Sequence, residues 1–163
     1  SLRLLARITA LHAAVLRPEV AGAAADSIHR QHADLLAADH RRWDLELDMA
    51  PPDATRALVQ RFIEERPAHL MRHLAGHTGR ALRTVRLEAP EARTGTLRME
   101  DLALPPGRHE VRCLAGVPVR LEAVPAPGHE FAGWKGIDAE GPAVTVDLAR
   151  ARSARPVFRA VVP

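Results

Sequence analysis

Three histidines recur at four-residue intervals in the stretch RPAHLMRHLAGH, at His69, His73 and His77. Residues four apart are neighbours on a helix, so His69 and His73 could share a zinc ion. His77 is excluded from that ion because a rise of 1.5 Å per residue puts it about 12 Å from His69. We therefore predict a structural helix end, terminated by Gly76 and Gly79 near His77, and keep His69 and His73 as a candidate metal pair that lacks its other ligands.

Other reactive residues occur without the partners that catalysis needs. Lys135 is the only lysine, and no glycine-rich phosphate loop or G-x-S-x-G turn is present. The acids of DLELD, Asp44 to Asp48, alternate without further ligands. His109 and Cys113 would share one face of a predicted strand but lie too far apart along it for a hydrogen bond. These residues predict no catalytic centre and no cofactor, and we expect Cys113 to be a small core residue.

The composition is that of a soluble globular protein, with 47% hydrophobic and 26% charged residues in 163. No run of about 18 apolar residues occurs, so no membrane span is predicted. The formal net charge is only +3, and the chain has no tyrosine, three phenylalanines and two tryptophans. Because single-stranded nucleic acids are bound on basic, aromatic-rich surfaces, this composition argues against a nucleic-acid partner.

Residues 1–78 have helical periodicity and should form three to four helices. In the first helix we expect an apolar stripe to face the core, and Pro18 should end that helix. The stripe consists of Leu2, Leu5, Ile8, Leu11, Val15 and Leu16.

Two further helical regions follow. One should run from Pro18 or Val20 to Trp43, and the other through DMAPPDATRALVQRFIEERPAHLMRHLAG with Asp53 as its N-cap. Pro67 should either kink this last helix or begin a new one. The residues expected to face inward are Ile28, Leu35 and Leu36 in the first region, and Leu58, Phe62, Leu70 and Leu74 in the second.

From about Arg80 the period changes to two, as expected for strands. The segments RTVRLEA, GTLRM, HEVRCLA, VPVRLEAV, AVTVDL and RPVFRAVV are separated by turns rich in proline, glycine and aspartate. We predict an α+β protein, with a helical domain at residues 1–78 and a small antiparallel all-β module, a sandwich or barrel, at residues 80–163.

The helical half resembles the C-terminal part of bacterial spore-coat CotH-type proteins, an atypical kinase family. The resemblance covers most of residues 1–90 and rests on HRRW, RFIEERPAHLMRHL and TGRALRTVRL. The chain opens within a helical pattern and without methionine, which we interpret as a fragment. The resemblance then implies the helical tail of a kinase-like domain whose catalytic residues lie upstream of Ser1.

The second half resembles the extracellular repeat modules related to internalin-type B repeats. The stretch GVPVRLEAVPAPGHEFAGWKG carries this resemblance, together with RPVFRAVV. Gly128 and Gly133 suit positive φ, and Phe131 and Trp134 should anchor the core. An exposed Trp134 that stacks on a sugar ring is the alternative, while Lys135 is expected to be a solvated turn residue.

Both resemblances imply a non-catalytic spacer or interaction module on a secreted or cell-surface protein. The partner would be an unknown protein or a cell-surface glycan. Two alternatives remain, an adhesive module that works through the β half, and a residual part of a kinase-like phosphotransfer domain.

Overall fold

The computed structural model describes residues 1–47 and 51–161, with the side chains of residues 44–47 left aside. The described helices are α1 (Leu2–Ala14), α2 (Pro18–Gln31), α3 (Ala33–Leu47) and α4 (Pro52–Thr78), and a 3-10 turn covers Leu148–Arg150. The described strands are β1 (Leu82–Ala89), β2 (Gly95–Met99), β3 (Leu102–Ala103), β4 (Gly107–Leu114), β5 (Pro118–Pro125), β6 (His129–Lys135), β7 (Ala143–Asp147) and β8 (Ser153–Ala160). The predicted α+β class, with helices first and strands after, is confirmed.

The chain divides into two compact units. One consists of Ser1–Ala14 and Leu70–Pro163, and we call it the β unit; the other, Val15–His69, we call the helical unit. This division differs from the predicted domains at residues 1–78 and 80–163, because α1 and the end of α4 belong with the strands.

The β unit contains two four-stranded sheets. The first sheet has the strand order β4-β1-β8-β6, and the second has the order β3-β2-β5-β7. The described strand pairs are antiparallel apart from β1 and β8, which run parallel, so the predicted antiparallel module is confirmed, with one parallel pair in it. The strand side chains that form the core are Val85, Leu87, Leu97, Met99, Val111, Cys113, Val119 and Leu121, all nearly inaccessible to solvent.

Helix α1 packs on this core through its small side chains. The helix contacts β3, β4 and β5, and Ala10 is fully buried. The prediction that a stripe of large apolar residues forms the buried face of α1 is wrong, since Leu2 and Val15 each remain 43% exposed. Leu5 and Ile8 contribute only at its edge. Alanine is selected there because a side chain without γ atoms lets the helix backbone approach the strands closely.

The end of α4 also belongs to the β unit. Met71 is fully buried, and Leu74 packs against the same core, as predicted for Leu74. The helix stops at Thr78, and Gly79 takes the left-handed conformation, with φ of +64°, that commonly follows a helix. The Arg80 guanidinium then donates to the carbonyl oxygen of Ala115 at 2.8 Å, which attaches the start of β1 to the β4–β5 turn.

The helical unit departs from the predicted helices at several points. The expected second helix is in fact two helices, α2 and α3, because helical structure is interrupted at His32. Asp53 lies in the first turn of α4 instead of at its N-cap. Pro67 lies inside α4, which continues through it.

The predicted inward face of the helical unit is also wrong. Ile28, Leu35, Leu58 and Phe62 are each about 60–70% exposed, and Leu36 is 40% exposed. Within the described side chains of this unit, Gly22 is the buried position. Helical spacing identified one apolar side of these helices but could not show whether anything in the chain would cover it.

The close approach of α1 can be tested by enlarging Ala10. Ala10→Leu should reduce the free energy of unfolding by about 1–3 kcal/mol, because the added methyl and methylene groups have no space against the strands. Leu4→Ala is the matched control, since Leu4 is 59% exposed on the same helix, and its effect should stay within about 0.5 kcal/mol. Urea unfolding measures both. Equal stability of the Ala10→Leu variant and the unchanged chain would contradict this packing.

Candidate functional site

The three histidines of the RPAHLMRHLAGH stretch all lie on α4 with exposed side chains. The predicted helix end near His77 is confirmed, because α4 stops at Thr78 and Gly79 follows, although Gly76 lies within the helix. His69 belongs to the helical unit, whereas His73 and His77 belong to the β unit. Among the side chains that the structure describes, no three histidine, cysteine or acidic groups are placed to hold a metal ion. The acids of DLELD lie outside the described side chains.

Cys113 is a core residue, as predicted. Its side chain is 1% exposed on the inner face of β4, and its Sγ lies 3.7 Å from the carbonyl oxygen of Arg83. Burial, followed by the charge of the Asp147 carboxylate, raises the pKa of the thiol to about 11. The thiol is therefore protonated near neutral pH, which removes the nucleophilic thiolate. His109 lies on the same inner face, with its Nε2 2.6 Å from the carbonyl oxygen of Pro105.

Trp134 occupies a fixed position near the end of β6, which pairs with β8. Its indole N–H donates to the carbonyl oxygen of Gly141 at 2.9 Å, and its ring meets Phe131 edge to face with centroids 5.7 Å apart. Phe131 in turn contacts Phe158 at 6.4 Å. A bulge at Gly133, where φ is +143°, lets Phe131 and Trp134 point to the same inner side. The half-buried ring is held by these contacts.

The glycines in and beside β6 have defined conformational roles. Gly128 and Gly133 have positive φ, as predicted. Gly136 was not singled out from the sequence, yet its φ is +88° and an added Cβ would lie 2.3 Å from the carbonyl oxygen of Ser153. The second glycine of the GWKG motif could have indicated this position, because a glycine beside a strand often marks a site where another backbone approaches closely.

A cleft in the helical unit was missed by the sequence analysis. It has a volume of about 390 Å³, and its surface is mostly apolar, with contributions from Ile28, Leu36 and Val59. At its rim Arg56 binds the Asp26 carboxylate at 2.8 Å, and Gln60 donates to the same carboxylate at 3.0 Å. The hydrogen bond from Arg56 is the main cause that lowers the pKa of Asp26.

A second missed feature is the outward face of the first sheet. Outward positions on its four strands carry mostly charged side chains, while their inward neighbours form the core. A depression of about 540 Å³ lies over this face, lined by residues that include Arg86, Arg108, Lys135 and Arg155. Lys135 was predicted to be a solvated turn residue; it is solvated, but it ends β6 opposite Arg155. This arrangement provides guanidinium and ammonium groups for an anionic ligand.

Comparison with known proteins gives no relative. No protein-family model, no curated protein and no solved structure matches the chain. None of the helices in the described ranges is long and apolar enough to cross a membrane. The functional proposals below therefore rest on the two sequence resemblances, the residues and their geometry.

The position of Trp134 can be tested by its contribution to stability. Trp134→Ala should reduce the free energy of unfolding by about 3 kcal/mol, because it removes the contact with Phe131 and the hydrogen bond to Gly141. Lys135→Ala is the control at an exposed neighbour and should change stability by no more than about 0.5 kcal/mol. Thermal or urea unfolding measures both variants. If Trp134→Ala were as stable as the unchanged chain, the ring would be a surface group available for sugar stacking.

Proposed function

We propose that this chain is a non-catalytic region of a CotH-like protein, secreted or carried on a bacterial cell surface, in which the β unit is a structural spacer. The two resemblances suggest this order, a helical tail followed by a B-repeat-type module. The resemblances supply the families, and the geometry of the β unit supports the spacer role.

The parallel pairing of β1 with β8 is the observation that carries this proposal. Arg86 lies opposite Ser153, and both strands run in the same direction from that point. The chain therefore enters β1 at one end of the first sheet and leaves β8 at the other. From Leu82 to Ala160 the two strands span about 35 Å, at 3.2–3.4 Å per residue. Antiparallel first and last strands would instead bring entry and exit to the same end.

A spacer also needs fixed turns between its strands, and Asp147 supplies one of them. One carboxylate oxygen accepts from the backbone N–H of Gly116 at 3.0 Å, and the other accepts from the N–H of Ala149 at 3.1 Å. Arg150 lies 3.4 Å from the same carboxylate. Together these contacts join the β4–β5 turn to the segment between β7 and β8, which supports a unit that keeps its length under load.

The spacer role predicts a long and well-defined distance across the β unit. With Cys113 replaced by alanine, spin labels at Ala81→Cys and Ala160→Cys should be separated by about 35–40 Å with a narrow distribution. Both positions are exposed. Pulsed electron spin resonance measures this distance. The control pair, Thr84→Cys with Arg112→Cys, joins register partners on neighbouring strands, whose Cβ atoms lie about 5 Å apart.

Two results would contradict the proposal. A broad distribution, or a mean below about 25 Å for the long pair, would mean that entry and exit are not held apart. A higher Tm with magnesium-ATP would contradict the non-catalytic part, since a ligand at 100 times its Kd stabilises by about 2.7 kcal/mol. The same rise with zinc, reversed by EDTA, would identify His69 and His73 as metal ligands.

A binding role for the β unit is the second candidate function. It is favoured by the charge pattern on the outward face of the first sheet, which packing inside the unit does not explain.

A further inference from the structure

The outward face of the first sheet is unevenly charged. Its outward strand positions carry six basic and three acidic side chains, an excess of three positive charges. That excess equals the formal net charge of +3 of the whole chain. These residues, which we call the charged face, are Arg86, Glu88, Arg108, Glu110, Arg112, Glu130, Lys135, Arg155 and Arg159.

Four of these cations form a diagonal row with one member on each strand. Arg86 lies opposite Glu110 on β4 and opposite Ser153 on β8. Arg112 and Arg155 are therefore one diagonal step to either side of Arg86, and Lys135 pairs with Arg155. Diagonal neighbours on one sheet face are about 7–8 Å apart. We call Arg112, Arg86, Arg155 and Lys135 the cation row.

Most of this row is available to a ligand. Within the described part of the chain, Arg86, Arg112 and Lys135 form no ion pair. Arg155 shares the Glu88 carboxylate, at 3.2 Å, with Arg108, at 4.0 Å. The carboxylates of Glu88 and Glu110 lie among these cations and offset part of their charge. The remaining excess of positive charge would attract an anion that bridges the row.

We propose that the cation row binds a linear acidic polysaccharide through its carboxylates. Three of the four cations are arginines, whose planar guanidinium groups accept a carboxylate in a bidentate manner. Such a polymer presents its charges singly, separated by sugar rings, which suits the spacing of about 7–8 Å from Arg86 to its diagonal neighbours Arg112 and Arg155. This inference goes beyond the spacer proposal and does not depend on it, because a rigid unit can carry the face whether or not it separates other domains.

Two properties of the face favour a polysaccharide over a nucleic acid. The aromatic rings of β6 and β8, Phe131, Trp134 and Phe158, contact one another on the inner side of the sheet, so these two strands present no ring on the charged face for stacking on bases. The interspersed carboxylates of Glu88 and Glu110 would also repel a polymer as densely charged as duplex DNA, with one charge per about 1.7 Å.

The test is a calorimetric titration of the whole chain with a galacturonate decamer at low salt. Binding should be measurable and should weaken as salt rises, because exposed charges are screened. The double variant Arg86→Gln with Arg112→Gln should bind about tenfold more weakly. The two lost charges should contribute equally to this change in binding free energy. The fully methyl-esterified decamer, which keeps the sugars and loses the carboxylates, should not bind.

Two further variants separate the face from general charge and from misfolding. Arg98→Gln removes one exposed charge from β2 of the second sheet and should leave binding unchanged. Glu110→Gln removes a repulsive carboxylate opposite Arg86 and should tighten binding by about twofold to fivefold. A gain of affinity cannot result from loss of folding, so this variant tests the face directly.

Several results would overturn the inference. The first is absence of binding to the unchanged chain, and the second is equal binding of the methyl ester. The third is an Arg98→Gln variant that weakens binding as much as the double variant Arg86→Gln with Arg112→Gln. Tighter binding of a DNA duplex than of the galacturonate decamer would assign the face to nucleic acid instead. None of these outcomes would alter the label distance expected of the spacer.

Discussion

The close contact between the alanine face of α1 and the strands of the β unit determines how the rest of the chain is organised. Ala6, Ala10, Ala13 and Ala14 are all nearly inaccessible to solvent, and Thr9 among them donates to the carbonyl oxygen of Leu5 at 2.9 Å. The hydroxyl of the buried Thr9 is thus satisfied within the helix. A helix with larger side chains on this face could not approach as closely.

Because of this contact, the helical unit is an insertion in the sequence between two segments of the β unit. The chain leaves the β unit after Ala14 and returns to it at Leu70, where Met71 is fully buried. The two units then differ in how they bury apolar surface. The β unit encloses most of its large apolar side chains, whereas many of those in the helical unit are exposed. Exposed apolar patches of this kind on a folded unit commonly mark a surface that another molecule covers.

The strands could be predicted from the sequence, while the buried helix faces could not. Alternation in RTVRLEA places Val85 and Leu87 in the core, and both are fully buried. On α1, helical spacing and hydrophobicity predicted that the leucines are buried, because leucine is more hydrophobic than alanine. The buried face is instead determined by how closely the helix approaches the strands, and local sequence patterns do not contain that distance. Gly128 and Gly133 could be assigned positive φ from a turn-rich motif.

The cation row could not be predicted because it depends on strand register. Arg86, Arg112 and Arg155 come from three strands that are distant in the sequence, and only the pairing of β1 with β4 and β8 aligns them. The parallel β1–β8 pair, which places the start of β1 and the end of β8 at opposite ends of the first sheet, is likewise a property of topology. Both features arise from long-range strand pairing, whereas hydrophobic periodicity and turn motifs are local properties of the sequence.

Amide hydrogen exchange, followed by mass spectrometry on the native chain, tests the division into two units most directly. If α1 folds with the β unit, residues 2–14 should exchange as slowly as β1 and β4, because they open only when that core opens. The helices of residues 18–47 should exchange faster, since few of their side chains are buried. Fast exchange of α1 at the same rate as α2 and α3 would contradict the central claim, because α1 would then belong to the helical unit.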